Sequence, residues 1–491
     1  MHNINPLLLI DFYKSTHAEQ YPENTAKIVS YYTPRASKLK DQDKLVMFGL
    51  QGYIKYYLIE SFNQNFFSRP KKEAVGEYKR YIQTFIKDCA IDFSRIEKLH
   101  DLGYLPLLIR AVPEGTRVPV RVPMFEISNT HPDFYWLTNT IESSVQCSLW
   151  HMMTAANVGY NYRKIVEKYF DLSVDDTPYR YGMGDFSFRG QDSVESAVKC
   201  AAAWALSFVN TATVPAGMYL ERYYGANIET DEVIRGTTSF EHSTTCSNYA
   251  VNGSEKTTLK NFLEGIYKNT NFTYVADSYD YWDLIENIVP EIKREILSHN
   301  GYIGFRGDSG DPIEIVTRTV FKLWDIFGGR INSKGFKVLA PQVKAVYGDS
   351  ITYERTKEIF EILTKNKFAC SNAVLCSGSL SMQCLEESGK SKPYTRDTFG
   401  VAVKAAYCEI NGGPVFIFKD PKTDDEKLKR SQKGCCVVLT DKNGELYCED
   451  GYDFDETFAN KNKLTEVFKD GKIIKEYNLN QIRGILHEGK F

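Results

Sequence analysis

An α/β fold is what this sequence predicts: an irregular (β/α) barrel of about seven parallel strands, with a mixed α/β domain assembled from the N- and C-terminal segments. Three observations lead there. Short apolar runs end abruptly in loops dense in Gly, Ser, Asp and Arg. These strand ends recur about every 25–40 residues, the length of one βα unit. Amphipathic stretches fill most of the gaps between them. Strand alternating with helix makes the strands parallel and puts the helices outside. Closing such units gives a barrel whose ligands bind at the carboxyl ends of the strands.

Along the chain, the first 150 residues lack this period. Strand-like runs (Ala26–Tyr32, Leu107–Ala111, Val118–Val122) alternate there with helical ones (Phe48–Tyr57, Lys71–Ile91), and Pro113, Pro119 and Pro123 punctuate a β region. The strand ends then begin. Tyr179–Met183 runs into Gly184-Asp-Phe-Ser-Phe-Arg-Gly190, Ala205–Val209 into Asn210-Thr-Ala-Thr213, and a weaker run near Val233 into Ser239-Phe-Glu-His-Ser243. Phe272–Ala276 leads to Asp277-Ser-Tyr-Asp280 and Gly301–Phe305 to Arg306-Gly-Asp-Ser-Gly-Asp-Pro312. Val343–Tyr347 leads to Gly348-Asp-Ser350 and Asn372–Leu375 to Cys376-Ser-Gly-Ser379. Helices are expected over Gln191–Ala203, Ser254–Lys268, Tyr281–Ser298, Ile313–Phe327 and Tyr353–Lys365. After Ser379 the chain turns polar. Glu386–Lys392 reads as an exposed loop, Val415–Phe418 as a strand, and Cys435–Thr440 with Glu445–Cys448 as a hairpin around Asn443-Gly444. The expected division is residues 1–150 as the N-terminal part of the mixed domain, 151–395 as the barrel, and 396–491 as the β-rich C-terminal part that packs with the N-terminal segment.

A chain of 491 residues has room for two or three domains. Its net charge of −3 gives no bulk attraction to nucleic acid. The 11 Cys form no CxxC pair and no zinc spacing, which points to reduced structural thiols. Met1–Pro6 has no basic n-region, and no uncharged run reaches the roughly 18 residues of a membrane span. The expectation is a soluble, cytoplasmic protein with neither nucleic acid nor membrane as partner.

Three strand ends carry a carboxylate: Asp277, Asp308 and Asp349. Gathered at one mouth, they suit Mg²⁺, which takes oxygen ligands and works with substrate phosphates, or the hydroxyls of a sugar. Each alone reads equally well as the N-cap of the helix after it. Gly348-Asp-Ser350 and Ser377-Gly-Ser379 close the last two strands, where backbone N–H groups and a helix N-terminus favour phosphate. Arg396, Lys404, Lys419, Lys429 and Arg430, with Arg35 near the start, are either a solvated face or a second anion site for a polyphosphate. His242, one of 8 His, is either structural or, among carboxylates, a nucleophile or acid/base group. Phe186, near Arg189, is either core or a stacking platform for a flat ligand.

Taken in order, these segments resemble the nicotinamide phosphoribosyltransferases, a family of type II phosphoribosyltransferases. The resemblance spans nearly the whole chain. It is carried by Asp11-Phe-Tyr-Lys-Ser-Thr-His17 with Gln20-Tyr-Pro22, then Gly184–Gly190, Glu241–Thr244, Asp277–Asp280, Arg306–Pro312, Gly348-Asp349, Ser377-Gly378, Thr395-Arg-Asp397 and Phe418-Lys-Asp-Pro421. It implies transfer of phosphoribose from phosphoribosyl pyrophosphate to nicotinamide, giving nicotinamide mononucleotide and pyrophosphate in NAD salvage. Mg²⁺ and, as a coupling substrate, ATP are implied too. On this resemblance the catalytic set is His242, Asp277, Asp308 and Arg306. Phe186 and Tyr13 sandwich the pyridine ring, with Tyr13 supplied across a homodimer that shares its active sites, and Arg306 lies beside the base. Asp308 and Asp349 hold ribose hydroxyls. Arg189, Gly348, Gly378 and Ser379 line the ribose phosphate, and Asp277 and Asp308 lie near Mg²⁺. Arg35, Arg396, Lys404, Lys419 and Lys429 meet pyrophosphate or nucleotide phosphates. His242 matches the family's phosphorylated histidine, which couples ATP hydrolysis to synthesis.

The chain departs from the family in three places. Ala212 stands where the family has an Asp that accepts a hydrogen bond from the amide of the base and repels the carboxylate of nicotinate. Ser379 replaces a usual Gly. Glu386–Tyr394 is longer than usual before Arg396. Ala212 keeps a second reading open: nicotinate as the base, or relaxed base specificity.

Overall fold

Each of the seven expected strand ends closes a strand. In the computed structural model, which describes residues 4–87, 91–176, 178–387, 389–423, 430–459 and 461–489, these are β1 (Met183–Asp185), β2 (Asn210–Thr211), β3 (Thr238–Ser239), β4 (Phe272–Val275), β5 (Ile303–Arg306), β6 (Val343–Tyr347) and β7 (Ala373–Ser377). All pair in parallel, in the spatial order β2-β1-β7-β6-β5-β4-β3. The two edges meet at one parallel bridge between Asn210 and Arg235, where Arg235 N donates to Val209 O at 2.6 Å. Every strand therefore presents its carboxyl end on the same side. The strands belong to a unit formed by Ala155–Tyr219 and Asn227–Pro393. Phe272, Tyr274, Phe305 and Leu375 on one face and Val275, Val346 and Cys376 on the other are all buried, as a parallel sheet covered on both sides requires.

The helices between the strands follow from their sequences. Pro312–Phe327 begins where the Asp311 carboxylate accepts from Ile313 N at 3.0 Å and Pro312 fills a position that has no N–H to satisfy. It buries Ile315, Val316, Val320 and Leu323 along one stripe. Tyr353–Lys365, Val194–Trp204 and Glu255–Glu264 lie at or inside the expected spans. Several expectations are corrected. Tyr179–Tyr181 is a short 3-10 turn, and the strand begins only at Met183. Ala205–Val209 is a run of turns after a helix, apolar because it is buried, and the strand is the two residues that follow. Tyr281–Ser298 breaks into short pieces that include a wide turn at Leu284–Ile288, with Pro290 removing a helical donor. Glu386–Lys392 is not a loop: Cys384–Glu387 pairs with Lys390–Pro393 as a hairpin, and Gly389 (φ 72°) turns the chain.

The second unit is Met1–Thr154, Leu220–Ala226 and Tyr394–Phe491. Its sheet is antiparallel throughout, in the order Gly413–Phe416, Ala402–Ile410, Thr25–Thr33, Phe125–Asn129, Leu107–Ala111, Thr465–Lys469, Lys472–Ile473. Strands from the two ends of the chain are next to one another, so neither terminal segment makes this sheet alone. At its centre the buried Arg110 donates to Glu126 from Nε at 3.0 Å and Nη2 at 2.8 Å, and Tyr31 OH donates to the same carboxylate at 2.7 Å. Gln51 sews three stretches of chain together. Its Nε2 donates to Tyr223 O at 2.7 Å and Tyr477 O at 3.0 Å, and its Oε1 accepts from Tyr477 N at 2.7 Å. The buried Glu114 accepts from Gln51 N at 2.7 Å and Gly49 N at 3.3 Å, at the start of the helical stretch from Leu50. No helix among the described residues is long and apolar enough to cross a membrane.

Candidate active site

The carboxyl ends of β3 to β6 are knitted together by side chains. Asp277, two residues past β4, accepts on Oδ2 from Asp308 N at 3.0 Å and Ser309 Oγ at 2.8 Å. Its Oδ1 lies 3.1 Å from His242 Nε2. Asp308, two residues past β5, accepts on Oδ1 from Gly348 N at 2.9 Å, and its Oδ2 lies 3.0 Å from Arg306 Nε. Arg306, the last residue of β5, also donates from Nη1 to Ser239 Oγ at 2.9 Å, and its guanidinium stands 5.9 Å from the centre of the Phe186 ring. The structure thus brings His242, Asp277, Arg306, Asp308, Gly348 and Phe186 to one place. The two glycines are dictated by sterics. A Cβ on Gly348 would come within 2.6 Å of Asp308 Oδ1, and one on Gly378 within 2.0 Å of Asp349 Oδ1.

Electrostatics mark the same place. Burial pushes the Asp308 carboxyl above its usual range, the Arg306 charge and the Gly348 N–H pull it back, and Asp277 adds repulsion. Asp185, at the end of β1, is fully buried and likewise pushed up, and accepts from Ser187 N and Thr211 Oγ1, both at 2.9 Å. Some of the buried polar atoms without a hydrogen-bond partner lie here: Ser187 Oγ after β1, Thr213 Oγ1 after β2 and Ser278 Oγ after β4, while Arg306 Nε has only the ion pair with Asp308. Folded chains leave few such groups unpaired, and these hydroxyls are available to a ligand at the rim; others lie elsewhere in the chain.

His242 is not on a strand end. It opens the helix His242–Asn252, whose first turn is fixed by Thr244 Oγ1 accepting from Glu241 N at 3.3 Å. Its side chain is 53% exposed while that of Asp277 is 5% exposed, so the ring stands in solvent on a buried carboxylate. Because a carboxylate only accepts, the neutral ring in this contact is the tautomer with its proton on Nε2 and its lone pair on Nδ1.

Mg²⁺ fits this donor set in one way. Asp277 Oδ2 already accepts twice, but Asp277 Oδ1 and both oxygens of Asp308 have one protein partner each and a lone pair to spare. No group of three or more His, Cys, Asp or Glu among the described residues forms a metal cage. One or two carboxylates completed by substrate phosphates is the usual Mg²⁺ arrangement.

The remaining barrel residues frame the site more loosely. Arg189 is exposed after β1, Asp349 is exposed after β6 with Oδ1 accepting from Ser350 N at 2.7 Å, and Ser379 starts the short helix Ser379–Gln383. Ala212 is exposed after β2, and its N donates to Asp185 O at 3.0 Å. The neighbouring Asn210 turns its amide inward, with Nδ2 donating to Tyr181 O at 3.1 Å. Sequence reasoning missed Ser239 and Asp185 as parts of the rim. Both lie inside quoted strand-end segments, and a buried Asp beside two hydroxyl residues was the available signal for the second.

In the other unit, Tyr13 is 51% exposed and packs against Phe12 and His17. A cationic cluster lies in the same unit. Lys404 on the strand Ala402–Ile410 is half-buried, and burial with the charges of Arg35, Lys14 and Lys419 lowers its pKa against the pull of Glu142. Arg35 Nε donates to Gly400 O at 2.8 Å, and Arg396 pairs with Asp397 at 3.2 Å. Lys429 lies outside the described residues. Lys14, inside the quoted Asp11–His17 segment but given no role there, and Glu142, which no sequence pattern singled out, complete the cluster through an ion pair.

Two families of known proteins match the chain. Residues 181–472 match the nicotinate phosphoribosyltransferase (NAPRTase) family, and residues 5–87 match the N-terminal domain of nicotinamide phosphoribosyltransferase. Nicotinamide phosphoribosyltransferase of Acinetobacter baylyi is 36% identical over 510 aligned residues, covering 98% of this chain and 96% of that protein. In fold, the chain is similar to nicotinate-nucleotide pyrophosphorylase from Pyrococcus furiosus (TM-score 0.58, 12% identity, 99% of this chain and 95% of that one). Human nicotinic acid phosphoribosyltransferase is similar in fold too (TM-score 0.55, 12% identity, 97% and 93%).

Proposed function

Since the chain belongs to the nicotinate phosphoribosyltransferase family and its N-terminal segment is of the nicotinamide phosphoribosyltransferase type, we propose that it transfers phosphoribose from phosphoribosyl pyrophosphate to nicotinamide. The products are nicotinamide mononucleotide and pyrophosphate, and the place is the cytoplasm, because phosphoribosyl pyrophosphate does not cross membranes unaided. The observation that carries this reading is the Asp277–Asp308–Arg306 network with unpartnered donors around it, at the end of a parallel barrel where sugar phosphates bind.

The chemistry suits these residues. The pyridine nitrogen attacks the anomeric carbon with a lone pair and has no proton to lose, so no general base is needed there. The bond to pyrophosphate breaks through an oxocarbenium-like state, and the work of the protein is alignment and charge. Asp308 and Asp349 accept from the ribose hydroxyls and orient the sugar. Arg306 lies with its guanidinium beside the base, and Phe186 stacks on the ring. Arg189 and the backbone at Gly348, Gly378 and Ser379 receive the ribose phosphate. Arg35, Arg396, Lys404, Lys419 and Lys429 neutralise the leaving pyrophosphate. Mg²⁺, held by Asp277 and Asp308 with substrate phosphates, would add positive charge where negative charge develops.

His242 has a coupling role. Its Nδ1 takes the γ-phosphoryl group of ATP, ADP leaves, and the Nε2 proton stays against Asp277 Oδ1. The phosphohistidine then places negative charge beside Asp277 and the carboxylates that would hold Mg²⁺, and shifts the relative binding of substrates and products. Tyr13, exposed in its own unit, completes the base sandwich of the neighbouring copy in a homodimer. Mixing inactive Tyr13→Ala and Asp308→Ala chains should then restore activity, and failure to complement refutes shared sites.

A second reading, nicotinate as the base, is favoured by one observation: Ala212 offers neither acceptor nor charge at the rim. Specificity constants for nicotinamide and nicotinate measured side by side decide between them. We expect nicotinamide to win, and a preference for nicotinate would reverse the assignment of the base.

A further inference from the structure

The cationic cluster contains a carboxylate where an anion site would be expected to hold none. Glu142, the first residue of the helix Glu142–Ser173, pairs through Oε2 with Lys14 Nζ; the two side chains are only 17% and 7% exposed. Its Oε1 lies 3.7 Å from Lys404 Nζ and accepts from Gln146 Nε2 at 2.9 Å. Among the described residues, Glu142 is the carboxylate within 4 Å of either ammonium. The groups facing Lys404 are otherwise cations: Arg35, Lys14 and Lys419. One negative charge is thus set among four positive ones, on half-buried ground where charges are felt strongly. The contact with Lys404 is an ion pair too long for a hydrogen bond, so it is the looser of the two ties.

From this geometry we propose that Glu142 is a resident counter-ion which pyrophosphate displaces. In the empty site it holds Lys14 and Lys404 in place. When the polyphosphate arrives, Lys404 turns from the carboxylate to the phosphate oxygens, and the carboxylate is left opposing the anion. Glu142 is a positioning residue acting through the two lysines, and its charge keeps pyrophosphate from binding too tightly to leave. The inference rests on the reading that this cluster takes pyrophosphate.

The test is calorimetric titration of the full-length protein with pyrophosphate, together with steady-state product inhibition. Glu142→Gln keeps the size and an acceptor for Lys14 but removes the charge. It should bind pyrophosphate about tenfold more tightly, the scale of one unit charge removed a few Å away in a partly solvated site. Inhibition by pyrophosphate should sharpen, and kcat and the KM for phosphoribosyl pyrophosphate should both fall. Glu142→Asp, which keeps the charge, should bind pyrophosphate as the unaltered protein does. A residue that merely braces the lysines gives the opposite result: weaker or unchanged pyrophosphate binding in Glu142→Gln overturns the proposal. If Glu142→Gln does not fold, Lys14→Met/Glu142→Gln compared with Lys14→Met removes the closest pair together and carries the same expectation. Lys404→Ala and Lys419→Ala separate the two levels. If both bind pyrophosphate normally, the cluster is not the pyrophosphate site and that part of the functional reading falls. If both bind it weakly while Glu142→Gln does too, only the counter-ion role falls.

Discussion

Replacing Asp308 tests the network where it is densest. Asp308→Ala removes two ties at once. Gly348 N loses a charged acceptor at 2.9 Å, worth about 1.5–3 kcal/mol. Arg306, whose side chain is 10% exposed, loses the carboxylate 3.0 Å from its Nε and keeps only Ser239 Oγ. Breaking a fully buried pair costs about 3–5 kcal/mol, and the 22% exposure of the Asp308 side chain trims that, so a loss of about 2–4 kcal/mol is expected. Asp308→Asn behaves differently. It keeps an acceptor for Gly348 and sheds the charge that burial disfavours. The raised pKa of Asp308 fixes the sign. A carboxyl whose folded pKa is raised contributes stability that is complete below its unfolded pKa of about 3.9 and is lost as pH rises through the folded value. Asp308→Asn should therefore lose less stability than Asp308→Ala at pH 7 and vary less with pH between about 4 and neutrality. Both variants should fail to make nicotinamide mononucleotide. Thermal unfolding across that pH range, with the synthesis assay beside it, reads both effects. Wild-type turnover in Asp308→Asn, or a steeper pH dependence than the unaltered protein shows, refutes the reasoning.

Asp277→Asn should slow phosphorylation of His242 from ATP by about ten- to a hundredfold, the worth of one charge-assisted hydrogen bond. His242→Ala should take no acid-labile label from γ-labelled ATP yet still make mononucleotide without ATP stimulation, and equal labelling of that variant would sink the coupling role. Ala212→Asp adds an acceptor for the amide and a charge opposed to nicotinate, so its preference for nicotinamide should rise by about one or two powers of ten. An unchanged ratio of specificity constants would mean that Ala212 does not meet the base. Glu114, fully buried, has its pKa pushed up to about 7 by burial, against hydrogen bonds from Gln51 N and Gly49 N. The stability linked to that shift is whole below about pH 4.5 and lost as pH passes 7, about 3 kcal/mol in all. Glu114→Gln should remove this component, and identical pH profiles for variant and parent would show that folding does not shift the Glu114 pKa.

The barrel was legible because its signal is local and repeated. An apolar run ending in Asp277, Arg306 or Gly348 is a strand end whatever surrounds it, and Tyr353–Lys365 carries its own cap and apolar stripe. What was not legible depends on burial from afar. Ala205–Val209 is as apolar as a strand because it is interior, and nothing in those five residues says that the backbone is turning. The antiparallel sheet needs pairings such as Tyr31 with Lys404, across most of the chain, and no sequence pattern encodes them. The site divided in the same way. Carboxylates and glycines at strand ends declared themselves, but the reason Gly348 must be glycine, an Asp308 oxygen against its Cα, appears only in three dimensions. Glu142 is unremarkable in sequence, and only its pairing with Lys14 makes it part of a site.

The most direct test of the account is the reaction itself. Full-length protein, phosphoribosyl pyrophosphate, Mg²⁺ and nicotinamide should yield nicotinamide mononucleotide and pyrophosphate in equal amounts, without ATP at a basal rate and with ATP at a higher one. Asp308→Ala should yield neither product. Pyrophosphate released without mononucleotide, or no product from either nicotinamide or nicotinate, would contradict phosphoribosyl transfer to a pyridine base at this barrel.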